Sequence, residues 1–412
     1  MEISPTYLTR FAFPCPACTY PLRGSYRGLS LDALQLEWED ASVFRSPFGE
    51  GDNQYVVTVG TTVPLRLQSR TLTEFGGAPN ITFGRLIGKN ANWANSYHDF
   101  FHDRIEEWKR YERLLHYYLQ SDWNRFNLAG ASLFRGNWRN PRNAQERHIA
   151  ALRPAQLLLF PALPSAIHAL LLEDYASVII GLGQGSSFAD WSLLEEQSGR
   201  LGAVHQALFG ALNQYVRRWE SWSAGYLVQA TDPQMRSKLE KLRLCRDDFS
   251  DLRDLYVQTF EICCSALPYA AALLNQGHRG SPEIFSEVPA AILRGNAKAA
   301  PPRSIRAFAK LPNATKLQWF TEWPSWRDHI GALLDKNIRN GLGHASARHD
   351  ISSGMIEFEG FSISYLELTS RSIDLGHAIL ALLQLVKSLR LLAADEEARR
   401  RKIADADLDR DL

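Results

Sequence analysis

The sequence predicts a mainly α-helical protein with a smaller β-rich part at its N-terminus. Apolar residues recur at helical spacing through most of the chain from about residue 91, whereas residues 29–86 alternate in shorter runs that glycines interrupt. Hydrophobic residues make up 45% of the 412 residues, which is enough for a large core and for two or three domains. We expect an N-terminal β-rich module at 1–90, a helical region at 91–200 and a helical domain at 201–412.

Composition favours a cytoplasmic protein that does not span a membrane. The formal charge of +1 creates no global positive field, so any contact with RNA must come from a local patch. Met1–Arg10 lacks the apolar core of a secretory signal, and prolines and charged residues interrupt the most apolar region, 156–183. Five cysteines are too few for a disulfide framework, which indicates a compartment with reduced thiols.

The N-terminal module contains two cysteines at metal-binding spacing. Cys15 and Cys18 are separated by two residues, as in half of a zinc ribbon or knuckle. No second cysteine pair is nearby, but His98 and His102 would lie one helical turn apart on one face. These four residues predict a structural zinc site, in which four protein ligands leave no position for a catalytic water. The alternative is two free thiols and two histidines on a helix surface.

Short alternating runs predict strands at Leu31–Trp38, Gln54–Gly60 and Val63–Leu67. The role of this β-rich module is not evident from its sequence, and recognition of a trigger or partner is one interpretation. Farther along, apolar residues at helical spacing predict core helices rather than ligand pockets, around residues 100–119, 204–222 and 239–266.

A cluster of basic residues surrounds one tryptophan. It consists of Arg135, Arg139, Arg142 and Arg147, with Trp138 between them. Such a mixture could hold phosphates and stack a base. A solvated loop is the simpler interpretation, and the sequence alone favours it.

The stretch Asp335–Ser346 places an arginine, an amide and a histidine close together, as Arg339, Asn340 and His344. Histidine exchanges protons near neutral pH, and a guanidinium holds phosphate oxygens with two prongs and stabilises charge that develops on them. These are the parts of a site that cleaves phosphodiesters. Apolar spacing predicts that a helix beginning near Pro324 ends here. The predicted buried face is Trp326, Ile330, Leu333, Leu334 and Ile338. Gly341 and Gly343 are expected to adopt backbone conformations closed to other residues.

Spacing alone does not separate this motif from chance, because five arginines in the chain precede a histidine by five to seven positions. Only Arg142…His148 and Arg339…His344 also have Asn directly after the arginine. Context favours the second pair. Met355–Phe358 and Phe361–Ser364 predict a hairpin downstream of it, and a long closing helix follows. The buried side of that helix is predicted to be Ile373, Ala378, Ile379, Leu382, Leu385, Val386, Leu389 and Leu392. Beyond Ala393 we expect a fraying, solvated tail.

The stretch resembles the signature of the HEPN superfamily (higher eukaryotes and prokaryotes nucleotide-binding domains). In that family an arginine, a polar residue and a histidine four to six positions past the arginine mark the active site. Arg339, Asn340 and His344 occupy these places. The resemblance is specific over 335–346, looser over 201–412 and absent from the N-terminal half. It implies a C-terminal helical bundle with a small hairpin insertion.

The resemblance also implies an activity: a metal-independent endoribonuclease of the type found in toxin and antiviral-defence systems, with RNA as substrate and no catalytic cofactor. Two copies of the motif would face each other in a homodimer. His344 would act as general base or acid, Arg339 would stabilise negative charge, and Asn340 would orient the histidine or the phosphate.

Other interpretations remain open. The chain could be a non-catalytic HEPN-type sensor that binds a nucleotide or a protein partner, or it could be controlled by a regulatory protein partner. The motif could also be a plain helix end, with Arg339 as a solvated cation near the negative end of the dipole and His344 as a loop residue.

Overall fold

The computed structural model describes residues 8–14, 20–27, 35–39, 107–134, 136–159, 187–231, 246–321, 330–344, 347–351 and 353–408, with single positions between 234 and 244. Of the interpretable residues 71% are helical, which confirms the mainly α class. The chain forms two compact units. The first comprises Met1–Asn95, Arg218–Val257 and Asn337–Ile373, and the second comprises Ser96–Arg217, Gln258–Lys336 and Asp374–Leu412. The three sequence-based domains stay a prediction.

An antiparallel sheet belongs to the first unit and consists of β1 (Leu8–Pro14), β2 (Pro21–Arg27) and β3 (Gln35–Trp38) in that order. β3 lies within a predicted strand, whereas β1 and β2 were not predicted. The ladder between β1 and β2 ends at the pair Pro14 and Pro21, which suits residues that have no N–H to donate. The other two predicted strands, Gln54–Gly60 and Val63–Leu67, lie outside the described residues.

A second antiparallel sheet in the first unit follows the arginine–histidine motif. It consists of β4 (Arg348–Asp350), β5 (Met355–Phe358) and β6 (Phe361–Ser364). The predicted hairpin is confirmed as β5 and β6, and Gly360 in its turn has a φ of 90°, which favours glycine. β4 was not predicted.

Thirteen helices can be followed in the described residues. They are α1 (107–119), α2 (Trp123–Phe134), α3 (Ala144–Leu159), α4 (Ser187–Gln197), α5 (Arg200–Arg217), α6 (Trp219–Trp222), α7 (Gly225–Ala230), α8 (Phe249–Arg279), α9 (Ala290–Gly295), α10 (Ile305–Ala309), α11 (Asn313–Trp319), α12 (Lys336–Gly343) and α13 (Tyr365–Leu408).

Each unit has an apolar core. In the first unit it includes Trp222, Leu252, Tyr256, Ile356, Tyr365 and Leu368. In the second unit it includes Tyr111, Leu114, Phe209, Leu212, Leu267, Leu382 and Leu385. The apolar faces predicted for α1, α5 and α13 are therefore core faces where the structure describes them.

Two predicted helix boundaries were wrong. α8 begins at Phe249 rather than near 239, because Asp248 accepts the backbone N–H of Leu252 at 3.0 Å and so precedes the first turn. α13 continues to Leu408, and the fraying expected beyond Ala393 stays a prediction. There Glu396 accepts from Arg399 and Arg400 at 2.7 and 2.8 Å, which supports the helix at i,i+3 and i,i+4 spacing.

The second wrong boundary is that of the helix that carries Arg339. It begins at Lys336, after a 3₁₀ turn at Gly331–Leu333 and a non-helical Leu334 (φ −109°, ψ 82°). Ile330, Leu334 and Ile338 are all buried, so the apolar spacing marked the buried side correctly although the helix is not continuous. Pro324 and Trp326 lie outside the described residues.

Two described helices, Phe249–Arg279 and Tyr365–Ala404, are long and apolar enough to cross a membrane. However, 67% and 72% of their apolar windows are buried within the structure, and the core helices of soluble proteins meet the same criterion. The predicted absence of a membrane span therefore stays a prediction.

In the first unit, Gly225 of α7 lies directly against the backbone of α13. A Cβ at this position would be 2.4 Å from the backbone N of Ser370 and from the backbone C of Thr369. One turn later, Gln229 Nε2 donates to the carbonyl of Ser370 at 3.4 Å. The crossing of these helices therefore requires glycine.

We expect Gly225→Ala to lower the free energy of unfolding by about 1–3 kcal/mol, because two backbones must separate to admit the methyl group. Gly210→Ala is the matched control, since Gly210 is exposed on α5 and a Cβ there meets no atom within 4 Å. It should be neutral or stabilise by up to about 1 kcal/mol. Chemical denaturation measures both. Equal stability of the two variants would contradict the close crossing.

Candidate functional site

The arginine–histidine motif lies on α12 and on the residue that follows it. Ile338 and Leu342, four positions apart, are buried and hold the helix in place. Asn340 and His344 are exposed and Arg339 is half-buried. The backbone N–H of His344 donates to the carbonyl of Asn340 at 3.0 Å, so the helical path extends to the histidine. Positions 340 and 344 are therefore one turn apart on the accessible side.

The side chains of Arg339 and Asn340 contact each other. Arg339 Nη1 donates to Asn340 Oδ1 at 3.2 Å. A guanidinium only donates, so the amide oxygen must face it, and both hydrogens of Asn340 Nδ2 are directed elsewhere. Arg339 Nη1 also lies 3.7 Å from the position that a Cβ of Gly343 would occupy. The guanidinium therefore extends along the last turn to the residue before His344.

Gly341 and Gly343 have a different role from the predicted one, since neither has a positive φ. A Cβ on Gly341 would lie 2.2 Å from Phe358 Cδ1. Phe358 belongs to β5 and stacks on Phe361 of β6, with ring centroids 4.5 Å apart. Gly341 is needed because the sheet packs an aromatic ring against the backbone of α12. This contact holds the motif to the sheet.

A second histidine follows His344 after five residues but has a different environment. His349 on β4 lies beside the rings of Phe249 and Tyr365, with centroids 5.6 and 5.0 Å away. Burial lowers the pKa of His349 to about 4, against the opposing effect of nearby carboxylates. It stays neutral at pH 7, so it is poorly suited to proton transfer there. Within 330–344 and 347–351, His344 is the exposed histidine.

The second unit contains a buried polar cluster that the sequence analysis missed. We call it the Arg390 cluster; it consists of Tyr118, His148, Glu196, His205 and Arg390, from five helices. Arg390 Nη1 donates to Tyr118 Oη at 3.1 Å and to His205 Nδ1 at 2.9 Å. Arg390 Nε and Nη2 donate to the carboxylate of Glu196 at 2.6–3.0 Å.

Arg390 fixes one tautomer in the cluster. A guanidinium only donates, so His205 accepts at Nδ1 and its neutral ring carries the proton on Nε2. Tyr118 Oη and His148 Nδ1 share a hydrogen bond at 2.6 Å, whose donor depends on the tautomer of His148. Burial, reinforced by the charge of Arg390, lowers the pKa of His148 to about 3 and that of His205 well below its usual value. Burial raises the pKa of Tyr118. The cluster is therefore structural rather than a proton-transfer site near pH 7.

The Arg390 cluster includes the histidine of the second Arg…His copy, Arg142…His148. His148 is buried and bonded to Tyr118, whereas Arg142 is exposed in the loop before α3. The structure therefore does not present the two side chains on one accessible surface.

The basic cluster around Trp138 is partly occupied by packing. Trp138 stacks on Phe134 with centroids 5.5 Å apart, and the guanidinium of Arg147 lies 4.3 Å from the centroid of the Trp123 ring. Arg139 and Arg142 are exposed, and Arg135 lies outside the described residues. Arg139 and Arg142 are therefore accessible to a phosphate, whereas the indole of Trp138 packs against Phe134 of α2.

The predicted zinc ligands Cys15, Cys18, His98 and His102 all lie outside the described residues. In the part of the chain that is described, no group of three or more His, Cys, Asp or Glu side chains could hold a metal ion. Cys263 and Cys264 are buried thiols there.

Comparison with protein-family models, with curated proteins and with solved structures gives no match to this chain. Inference about function therefore depends on the geometry of the motif and its surroundings.

We expect Gly341→Ala to destabilise the fold by about 1–3 kcal/mol, because the methyl group would overlap the ring of Phe358. Gly343→Ala is the control on the same helix, where a Cβ makes only an ordinary contact, 3.7 Å from Arg339. Thermal and urea unfolding of both variants tests this. If Gly341→Ala is as stable as Gly343→Ala, the ring does not lie on the helix backbone.

The buried histidines of the second unit predict acid sensitivity. The pKa of His148 and of His377 is about 3, against 6.5 for an unperturbed histidine. Between these values the unfolded chain binds more protons than the folded chain. Stability is therefore fully present above about pH 6.5 and is lost as the pH falls towards 3, by about 1.4 kcal/mol per pH unit for each histidine.

Urea unfolding between pH 7.5 and pH 5 tests this dependence. His148→Gln retains an acceptor for Tyr118 but does not titrate. Its free energy of unfolding should therefore fall less steeply as the pH is lowered, by about 1.4 kcal/mol per pH unit. His116→Ala removes an exposed histidine and should leave the slope unchanged. The same slope in wild type and His148→Gln would show that His148 titrates normally.

Proposed function

We propose that this chain is a metal-independent endoribonuclease whose catalytic residues are Arg339, Asn340 and His344. The observation that carries the proposal is their common placement at the accessible end of α12. The guanidinium of Arg339 extends beside Gly343, the residue before His344, and the amide of Asn340 directs its N–H groups away from Arg339. A cation, a neutral donor and a proton-exchanging group within six consecutive residues suit a phosphodiester substrate.

In the proposed reaction the 2′-hydroxyl of RNA attacks the adjacent phosphorus. The 2′-O–P bond forms and the P–O5′ bond breaks, which gives a 2′,3′-cyclic phosphate and a 5′-hydroxyl. One imidazole takes the proton of the 2′-hydroxyl, and a second, protonated imidazole gives a proton to the leaving O5′. Arg339 stabilises the added negative charge on the phosphoryl oxygens, and Asn340 Nδ2 donates to one of them. No electron transfer is involved.

The need for two imidazoles leads to the proposed homodimer. His349 is neutral and half-buried, so the second imidazole is assigned to His344 of another copy. A symmetric dimer supplies both from one motif. The order of helix, motif, small sheet and long closing helix supports a HEPN-like domain in the C-terminal part. Such nucleases serve in toxin and antiviral-defence systems, where a regulatory protein partner would keep the site silent.

We expect His344→Ala and Arg339→Ala each to lower RNA cleavage by about 100-fold or more, because each removes a group that acts in the transition state. His116→Ala and Arg294→Ala remove exposed residues of the same types elsewhere and should cleave like wild type. Gel analysis of transfer RNA with end-group identification measures rate and product. A wild type and a His344→Ala variant that cut equally would place the site elsewhere.

Two further measurements complete this test. A chelator should leave cleavage unchanged, and loss of activity in a protein that stays folded would contradict metal independence. Sedimentation should give a dimer, and a strictly monomeric active enzyme would exclude the shared site. A dimer that binds RNA or a protein partner but never cleaves would favour the non-catalytic alternative.

A further inference from the structure

A groove in the second unit runs along the loop between α2 and α3. Its cavity volume is about 1400 Å³, and it is lined in part by Trp138, Arg139, Arg142, Ile149 and Arg153. We propose that this groove binds the phosphate backbone of single-stranded RNA through its three arginines. The groove and its charges are observed independently of the motif on α12, but the choice of RNA as the polymer rests on the proposed function.

The loop is held in place at its start by Trp138. Phe126, Gly130 and Phe134 lie four residues apart on α2 and form one stripe. The indole of Trp138 stacks on Phe134 and meets the edge of Phe126, with centroids 5.5 Å apart in both pairs. A Cβ on Gly130 would lie 2.2 Å from this indole. The glycine therefore admits the ring, and the ring anchors the loop.

The other end of the loop is held by the first turn of α3. Asn143 Oδ1 accepts from the backbone N–H of Glu146 at 2.9 Å. Glu146 returns the contact, because Oε2 accepts from the backbone N–H of Arg142 at 2.6 Å and Oε1 accepts from Asn143 Nδ2 at 3.2 Å. Pro141 is buried. Arg139 and Arg142 thus project from a loop fixed at both ends and Arg153 projects from α3, which lowers the entropy cost of binding.

The charges of the groove are available to a ligand. Arg139, Arg142 and Arg153 are exposed, and in the described part of the chain none of their guanidiniums has a carboxylate within 4.0 Å. Glu146 is the acidic residue of the lining, and both its oxygens already accept hydrogen bonds. The groove therefore has three positively charged side chains and one carboxylate, which already accepts hydrogen bonds. This arrangement favours an anion with several phosphates.

The size of the groove favours a polymer over a small ligand. Pockets for small molecules are about 300–1000 Å³, so a volume of about 1400 Å³ leaves room for several nucleotides. Asn137 and Asn140 alternate with the arginines and offer amide groups to sugars and bases, and Ile149 adds an exposed apolar surface. A positively charged groove that follows the backbone is one of the features by which proteins bind single strands.

The experiment measures binding of a labelled single-stranded oligoribonucleotide to full-length His344→Ala protein over a range of salt concentrations, so that cleavage does not interfere. Adding Arg139→Ala, Arg142→Ala and Arg153→Ala should weaken binding. It should also reduce the slope of log affinity against log salt by about 2, because each lost single-strand phosphate contact contributes about 0.7.

The matched control carries Arg294→Ala, Arg303→Ala and Arg306→Ala, which removes three exposed charges elsewhere and should leave the slope unchanged. A triple Arg→Lys variant of the groove keeps the charge but loses the two-pronged geometry, so it should keep the slope and lose part of the affinity. If the groove and control variants lose affinity for the single strand equally, the proposal is wrong. It is also wrong if inorganic phosphate or duplex RNA competes as well as the single strand.

The outcomes for the two sites are separable. RNA binding that depends on the groove, together with a wild type that does not cleave, would reject the nuclease and keep the groove. Cleavage that depends on His344, together with a salt slope that does not change when the groove arginines are replaced, would reject the proposed RNA groove and keep the proposed nuclease.

Discussion

The helical core of the second unit depends on how it accommodates the guanidinium of Arg390, whose side chain is only 15% exposed. A charge removed from water must be paired, and its remaining donors must find acceptors. Arg390 meets this requirement with a carboxylate, a phenol and an imidazole, and Tyr118 is hydrogen-bonded in turn to His148. One side chain on the closing helix is therefore linked, directly or through Tyr118, to residues on four other helices. Loss of any partner would leave a buried polar group unsatisfied.

The first unit solves the same problem with Arg246 and Asp248, which form a two-pronged ion pair at 2.9 and 2.6 Å and are 5% and 7% exposed. Tyr365 donates to Asp248 at 2.6 Å, and Arg246 donates to the carbonyl of Glu220 at 2.8 Å. The ion pair thereby links the start of α8, the start of α13 and α6. In the motif, Arg339 donates to the amide oxygen of the adjacent, exposed Asn340.

Local patterns allowed part of this structure to be predicted. Helical spacing identified the core faces of α1, α5 and α13, and Glu359–Gly360 between two alternating runs identified the hairpin. Long-range pairing has no such signal: Arg390 and Glu196 are 194 residues apart, and nothing local to either indicates a buried ion pair. β1 was not predicted, because apolar and polar residues alternate only in part over Leu8–Phe13. The break at Leu334 was missed because Ile330, Leu334 and Ile338 keep helical spacing across it.

Gly341 shows why the motif was located correctly but its geometry was not. A glycine after an arginine-bearing helix is consistent with a positive φ or with close packing, and only the partner, Phe358, distinguishes them. Gly130 under Trp138 follows the same principle in the other unit. In both places an aromatic ring lies on backbone that has no Cβ, and the arginines nearby are held by a rigid segment. Phosphate recognition by a two-pronged donor tolerates little displacement, so backbone fixed in this way is a physical requirement for the binding proposed at each position.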